Sequence, residues 1–394
     1  MLSIFPILLL LIVALPAAAL AQAGPERGGF IVRMGSDTLA VERFTRTATQ
    51  LEGEVVSRVP AARAVRYTAA LNPDATISRI EISGEPAEPS PGGLRTAAEV
   101  RFVADSAHTV ATRGDSTQHF AVPMSAGAMP FVPFTYAIYE QFVRRLRHSG
   151  RDSIGIPTLG PGTRQPFGFS LVRRGPAAVD VDFLPVPGFY PGGQPAHVRV
   201  DGEGRLLALD GSESPLKVSV ERVDNVDIAA YRKQFAAREA AGGPMGQLSG
   251  RDTLRATVGT AHLAIDYGRP RRRGREIFGN VVPWNQVWRA GANAATGFTT
   301  DADLLMGGVV IPKGSYTLFV LPSPDGTKLI VNRQTGQWGT AYDPRQDLVR
   351  LDMTTERLAQ TVEPFTIAID PQGQGGALRL RWDRTQFSVP VAVK

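Results

Sequence analysis

DYGRPRRRGREIFGNVVPWNQVWRAGANAATGFTT, residues 266–300, is the most unusual stretch of this chain. It holds seven glycines or prolines, five arginines within the seven positions 269–275, and two tryptophans. Glycine tolerates positive φ, so such a run can form a shaped loop where ordinary residues would extend a strand or helix. Binding sites commonly lie on loops of this kind that a rigid scaffold holds in place. The stretch therefore predicts a structured loop with a candidate binding site.

Short β-strands are predicted on both sides of this loop. Before it, His262–Tyr267 alternates apolar and polar residues. After it, Leu304–Met306 and Val309–Ile311 form a hairpin across two glycines, and six further runs of strand-forming residues follow. They are 315–321, 328–332, 348–353, 365–369, 377–382 and 387–393. Regularly spaced short strands with explicit turns are typical of a sandwich or barrel, so we predict an all-β sandwich or barrel domain at 251–394.

Four motifs in this half resemble the DUF2911 family, a group of bacterial, usually exported proteins of unknown function. They are Y-G-R-P-x-x-x-G-R-x-I-F-G from Tyr267, V-W-R-x-G-A-N from Val287, P-x-G-x-Y-x-L-F from Pro312, and W-G at Trp338. The resemblance covers about residues 255–394. The family usually has an acidic residue directly after Gly-Ala-Asn, where this chain has Ala294. The resemblance supports the predicted domain and implies no reaction.

Seven residues of these motifs are candidate ligand contacts. Guanidinium groups match carboxylate or phosphate, and tryptophan offers a stacking face for a sugar, a ring or a cation. If the turns converge, an anion- or glycan-binding mouth would form at one end of the domain. The alternative is structural: the arginines pair with Asp266, Glu276 or Asp301, and the tryptophans anchor the core. The candidates are Tyr267, Arg269, Arg275, Trp288, Arg289, Asn293 and Trp338.

The N-terminal half, residues 28–222, reads mostly as strands with period two, interrupted by one helix. In that helix Phe134, Ile138 and Phe142 recur every four residues, and Ser149 with Gly150 ends it. We predict an antiparallel β-rich α+β domain in which this amphipathic helix packs its apolar face on a sheet. A membrane-surface helix with a basic polar face is the alternative.

A second helix and a linker are predicted between the halves, at 223–250. Val226–Ala241 has a helical pattern with Asp224 or Asn225 as its cap, and the breaker-rich 242–246, GGPMG, follows. Few contacts are expected to cross such a linker. We therefore predict that the two halves fold separately.

Residues 1–21 have the features of a secretory signal peptide. An apolar run broken by Pro6 ends in an A-x-A pattern before Gln22, and an uncleaved membrane anchor is the alternative. We predict cleavage before Gln22, a periplasmic or secreted location, and no stable membrane insertion of the mature chain.

Composition excludes several chemistries. The chain has no cysteine, and its five histidines lie at least 11 positions apart (His108 and His119 being nearest), so thiolate sites and HExxH spacings are absent. We predict no metal and no cofactor. Acidic residues are interspersed with the arginines despite a net charge of +6, so nucleic acid is not an expected partner.

Two classes of function remain open. The first is an exported binding or envelope-interaction module with an anionic or glycan ligand at 266–300; its protein partners cannot be read from the sequence. The second is a hydrolase without a recognisable motif. A hydrolase needs a nucleophile, base or metal set, and the C-terminal half has one histidine, His262. The distance of His262 or a carboxylate from the arginine-rich loop distinguishes the two classes.

Overall fold

The computed structural model describes residues 24–88, 92–186, 192–243, 245–372 and 375–394. The chain is mainly β, with 56% strand and 9% helix, which confirms the predicted fold class. The predicted signal segment 1–21 lies outside the described residues. No helix within the described ranges is long and apolar enough to cross a membrane.

One antiparallel sheet of fifteen strands makes up most of the described N-terminal half. Counted from one edge it runs from β8 down to β1, then from β15 down to β9, and only the β9–β10 pair is parallel. Its strands are β1 (Glu26–Met34), β2 (Asp37–Arg46), β3 (Gln50–Ser57), β4 (Arg63–Leu71), β5 (Ile77–Pro86), β6 (Thr96–Val103), β7 (Ser106–Arg113), β8 (Ser116–Pro123), β9 (Met129–Pro130), β10 (Ser153–Leu159), β11 (Phe167–Gly175), β12 (Ala178–Phe183), β13 (Ala196–Val200), β14 (Leu206–Asp210) and β15 (Ser219–Val223).

Helix α1 (Tyr136–His148) packs against this sheet, as the sequence predicts. It begins after Phe134, which has a positive φ of 65° and so cannot belong to the helix. Glu42 of β2 accepts hydrogen bonds from the backbone N–H groups of Tyr136 (2.5 Å) and Ala137 (3.1 Å), which satisfies two of the free donors at the helix start. Strands β10, β11 and β14 contact the helix as well.

The polar side of α1 is buried too, which the sequence did not predict. Glu140 has no solvent-exposed surface. Its carboxylate pairs with Arg46, with Arg144 (3.0 Å) and with Arg222 (2.7 Å). Glu26 binds the same three arginines, so two carboxylates and three guanidinium groups form one ion-pair network around Glu140. The helix is therefore a central packing element, and the membrane-surface alternative is wrong.

Helix α2 (Ile228–Gly242) lies over the outer face of β2 and β3. Its cap is Asp227, whose side chain accepts a hydrogen bond from the backbone N–H of Ala230 at 2.9 Å, rather than Asp224 or Asn225. Ile228 and Phe235 are its buried residues, and they pack against strand residues of the outer face. The division of the chain into separately folding domains stays a prediction.

The C-terminal half contains two sheets that share one core, so the predicted sandwich is the architecture observed. The larger sheet has the order β16-β17-β18-β21-β22-β23, and the smaller has the order β20-β19-β25-β24. The strands are β16 (Ser249–Val258), β17 (Ala261–Pro270), β18 (Thr296–Thr300), β19 (Leu304–Met306), β20 (Val309–Ile311), β21 (Gly314–Leu321), β22 (Lys328–Asn332), β23 (Asp347–Asp352), β24 (Thr354–Gln372) and β25 (Gly375–Val393).

Strand bounds differ from the prediction at two places. The segments predicted at 377–382 and 387–393 belong to one 19-residue strand, β25, which bends at Asp383 (φ 53°) instead of ending there. The quoted stretch 266–300 also contributes the end of β17 and the whole of β18. Residues 271–295 therefore form the loop between two paired strands of the larger sheet.

Candidate anion-binding site

The loop 271–295 is structured because it contributes to the core of the sandwich. Ile277, Val282 and Ala290 are buried in that core. Trp288 exchanges two backbone hydrogen bonds with Val320 of β21, at 2.7 and 2.8 Å. The loop thus has a fixed position at the end of the sandwich.

Two of the seven candidates are core residues. Tyr267 is 2% exposed, and its hydroxyl accepts a hydrogen bond from the backbone N–H of Ile367 at 3.2 Å. Trp288 stacks on Trp382 with ring centroids 5.8 Å apart, and its indole N–H donates to the carbonyl of Gly291 at 3.1 Å. For these two residues the geometry agrees with the structural alternative, because the core occupies the faces that a ligand would need.

Most arginines of the 269–275 run have carboxylate partners. Arg269 pairs with Asp252 at 3.0 Å and also donates to Thr366 and to a backbone carbonyl. Arg272 pairs with Asp383 at 2.9 Å. These partners differ from the predicted ones, since Asp266 binds Arg251 and Asp301 binds His262. Arg269 is therefore a structural residue of the strand pair rather than a free cation.

Arg273 connects the two halves of the chain. Its guanidinium pairs with Asp37, and its carbonyl accepts the backbone N–H of Ser36 at 2.9 Å. Gly35 lies so close that a Cβ there would be 2.0 Å from that carbonyl and 2.8 Å from Cγ of Arg275. The β1–β2 turn is thus docked on the arginine-rich turn.

Arg275 has no carboxylate within ion-pair distance among the described residues. Its Nε and one Nη donate to the carbonyls of Arg272 (3.0 Å) and Arg271 (2.7 Å). Burial lowers the pKa of Arg275, and the nearby charge of Arg273 lowers it further. The backbone therefore orients this guanidinium without neutralising it.

Arg289 is the exceptional residue of the loop. It is half-buried, and its guanidinium has no hydrogen bond and no ion pair to any residue within the described ranges. Burial lowers the pKa of Arg289. The aliphatic part of the side chain lies against Gly339, where a Cβ would be only 2.2 Å from Cδ of Arg289. The side chain is therefore held in place while its charge stays without a counter-charge in the described structure.

Asn293 and Trp338 lie beside Arg289. The backbone carbonyl of Asn293 accepts the N–H of Gly339 at 3.0 Å, and Ala294 forms a bridge with Trp338. Asn293 is exposed with φ 63°, a conformation that asparagine tolerates better than most residues, and Trp338 is half-buried. Arg289, Asn293 and Trp338 thus lie close to one another around Gly339.

The residues of this loop belong to a described family. Residues 249–391 match the model of the family DUF2911, a protein of unknown function. Residues 249–391 are a DUF2911 domain. The match confirms the resemblance and begins at the first residue of β16. No curated protein matches the chain.

Two solved structures are similar to part of the chain. One is a DUF1089 family protein from Pseudomonas aeruginosa, with 16% identity, a TM-score of 0.32, and coverage of 44% of this chain and 90% of that one. The other is a β-barrel-like protein of the domain of unknown function DUF1849 from Brucella abortus, with 9% identity, a TM-score of 0.32, and coverage of 52% of this chain and 98% of that one.

Lys217 of the N-terminal half is a partly buried cation. It has φ 53°, and its ammonium donates to the carbonyl of Ser212 at 2.6 Å. Burial, together with the charges of Arg289 and Arg275, lowers the pKa of Lys217 to about 8, while Glu213 raises it.

His262 lies elsewhere in the DUF2911 domain. Its Nδ1 is 2.8 Å from a carboxylate oxygen of Asp301, and the pair lines a separate shallow cavity of about 460 Å³ on the outer face of the larger sheet. Arg275 and Arg289 do not line this cavity. His262 is thus not part of the arginine-rich loop, whereas the carboxylates of Asp37, Asp252 and Asp383 pair with its arginines. The described part of the chain holds no cluster of three or more metal-ligating side chains.

Proposed function

We propose that this protein binds an anionic group, carried by a small molecule or a glycan, at Arg289 and Arg275. We further propose that it does so outside the cytoplasm, after cleavage before Gln22. The observation that carries the binding proposal is the half-buried guanidinium of Arg289, which has no partner among the described residues. The support comes from the contrast with its neighbours.

Partial burial of a charge is unfavourable unless an opposite charge or hydrogen bonds compensate it. Arg269, Arg272 and Arg273 have that compensation from carboxylates. Arg289 lacks it, although its side chain is fixed in position by Gly339. Groups that a protein keeps in an unfavourable state at a fixed position are commonly functional, because stability and function trade off at such sites.

The chemistry next to Arg289 suits the same ligand class. A guanidinium presents a planar fork of donors that matches the oxygens of a carboxylate or phosphate. Asn293 adds an exposed amide and Trp338 a half-buried ring. An amide and a ring beside a cation can hold the hydroxyls and the apolar face of a sugar that carries the anionic group.

Titration calorimetry with sulfate tests the proposal. Arg289→Met removes the charge and keeps the length of the side chain, and Arg269→Met removes an equal charge from the same region as a control. We expect the Kd for sulfate to rise at least about tenfold in Arg289→Met, the effect of losing one charge-assisted interaction, and to stay unchanged in Arg269→Met. Equal sulfate affinity of Arg289→Met and the wild type would show that Arg289 binds no anion.

A further inference from the structure

We propose that a cavity on the outer face of the larger sheet of the DUF2911 domain binds an uncharged sugar ring. The cavity has a volume of about 310 Å³, at the lower end of the roughly 300–1,000 Å³ that is typical of small-molecule sites. Arg275 and Arg289 are not among the described residues that line it, so this inference goes beyond the anion site and does not depend on it.

The floor of the cavity is formed by three neighbouring strands of the sheet. Ala264 of β17, Gly297 of β18 and Ser315 of β21 contribute to it. Successive residues of a strand point to opposite faces, and Phe298, the residue after Gly297, is buried in the core of the sandwich. The floor therefore faces away from that core.

Two walls enclose this floor. One wall is the segment 335–337, which follows β22. The other is the side chain of Arg251, which reaches from β16 across the neighbouring strand. Its Nε donates to the carboxylate of Asp266 at 2.8 Å, and one Nη donates to the carbonyl of Ala295 at 3.2 Å. The enclosed volume is thus bounded by groups that are already held in position.

Gly297 is the residue that points to a ligand on this floor. It lies inside a central strand without a positive φ, and a Cβ there would meet no described atom closer than 4.0 Å. Gly268 of the adjacent strand differs, because a Cβ there would lie 2.1 Å from the carbonyl oxygen of Ala292. Glycine weakens a strand interior and commonly marks a place where a ligand or another backbone comes close. Since no described backbone fills the space over Gly297, a ligand accounts for the glycine.

Gln337 provides a second, independent observation. It lines the cavity, is only 9% exposed, and its Nε2 donates to the hydroxyl of Thr317 at 3.3 Å. That hydroxyl gives its one proton to the carbonyl of Gln334 at 2.7 Å, so Oε1 of Gln337, 3.5 Å away, has no donor among the described residues. A buried amide oxygen without a donor is unfavourable, and a hydroxyl of a ligand would supply the missing hydrogen bond.

The other polar groups of the cavity suit a sugar rather than an ion. The charged residues of the described lining are Arg251 and Asp266, which pair with each other and leave no net charge for an ionic ligand. Hydroxyl groups, each of which can donate and accept, come from Thr299, Ser315 and Thr335. A sugar ring carries several hydroxyls of the same dual character, so it can use these groups and the amide of Gln337 together.

Saturation-transfer NMR on the full mature chain tests the proposal, with the methyl glycosides of glucose, galactose, mannose and N-acetylglucosamine as probes. We expect saturation transfer to at least one glycoside in the wild type and none in Gly297→Ile, whose side chain fills the cavity. Gly250→Ile is the matched control and should keep the signal, because Gly250 is a strand glycine with equal room for a Cβ and lies outside the cavity. Isoleucine favours strands, so the Tm of Gly297→Ile should not fall below that of the wild type.

Gln337→Met tests the amide separately. For the glycoside that binds, we expect the Kd to rise at least about tenfold in this variant, while sulfate binding stays as in the wild type. An unchanged Kd would remove the Gln337 amide from the site.

Three results would overturn the sugar site as a whole. They are transfer to none of the four glycosides, equal transfer in the wild type and Gly297→Ile, and a lower Tm in Gly297→Ile, which would show that the floor has no free room. Each of them leaves anion binding at Arg289 standing, and unchanged sulfate binding in Arg289→Met leaves the sugar site standing.

Discussion

At the scale of single residues, Arg269 has a carboxylate partner and Arg289 has none among the described residues, although both belong to the same region. Arg269→Met would strand Asp252 and remove donors from Thr366 and a backbone carbonyl. Both partners of the ion pair are partly exposed, so we expect a loss of about 0.5–1.5 kcal/mol in the free energy of unfolding. Arg289→Met removes an uncompensated charge and should leave this free energy unchanged or raise it. Urea unfolding of both variants measures the two free energies of unfolding. A larger loss of free energy in Arg289→Met than in Arg269→Met would contradict the prediction.

The lowered pKa of Lys217 predicts that the free energy of unfolding rises with pH. Its pKa in the folded protein, about 8, is below the ordinary value of 10.5, so between these values the unfolded chain binds more protons. The free energy of unfolding of the wild type should therefore rise relative to Lys217→Met as the pH increases from 8 towards 10.5, by at most about 3 kcal/mol. Urea unfolding in sulfate-free buffer at both ends of this range measures the difference. A difference that stays flat or falls with pH would show that burial and the neighbouring arginines do not lower the pKa of Lys217.

Sequence reasoning found part of this site for physical reasons. Arg289, Asn293 and Trp338 belong to motifs rich in glycine and tryptophan, and such turns converge because glycines such as Gly339 allow close backbone approach. The burial of Tyr267 and Trp288 could not be predicted, because the sequence pattern around an aromatic residue is the same whether its ring packs in the core or binds a ligand.

At the scale of elements, the sequence predicted helix α1 correctly but did not predict all of its contacts. The four-residue spacing of apolar residues identified the helix, while the burial of Glu140 on its other side was not predicted. The partners of Glu140 include Arg46 and Arg222, which are distant in sequence and reach the helix only in the folded sheet. A pattern within one helix contains no information about such partners.

Glu140→Ala should therefore be strongly destabilising. The substitution leaves the guanidinium of Arg46, which is 6% exposed, without its buried carboxylate, and we expect a loss of about 3–5 kcal/mol in the free energy of unfolding. Glu221→Ala is the matched control, because it breaks the exposed Arg33–Glu221 pair and should cost less than about 1 kcal/mol. Denaturant unfolding of the two variants measures both values. Equal losses would mean that the buried network adds nothing to the stability of the helix.

The long strands of the sandwich were predicted in pieces for a similar reason. The polar run 383–386 interrupts the alternation of β25, and a sequence pattern treats such an interruption as a turn. In the structure the pairing with β24 continues through a register shift, and Asp383 takes a positive φ. Through an irregularity of this kind a strand can continue past a position where its sequence pattern predicts an end.

At the scale of the whole molecule, the two halves meet through few polar contacts in the described structure. Ser36 and Asp37 bind Arg273. These contacts join the β1–β2 turn to the arginine-rich turn.

The most direct test of anion binding at Arg289 is the position of a bound anion. Selenate is a heavy analogue of sulfate, and its anomalous scattering locates it in crystals of the mature protein. The account predicts a selenate within hydrogen-bond distance, about 3 Å, of the Arg289 guanidinium. A crystal that places selenate only at other sites, with the Arg289 guanidinium engaged by a carboxylate of the chain, would contradict it.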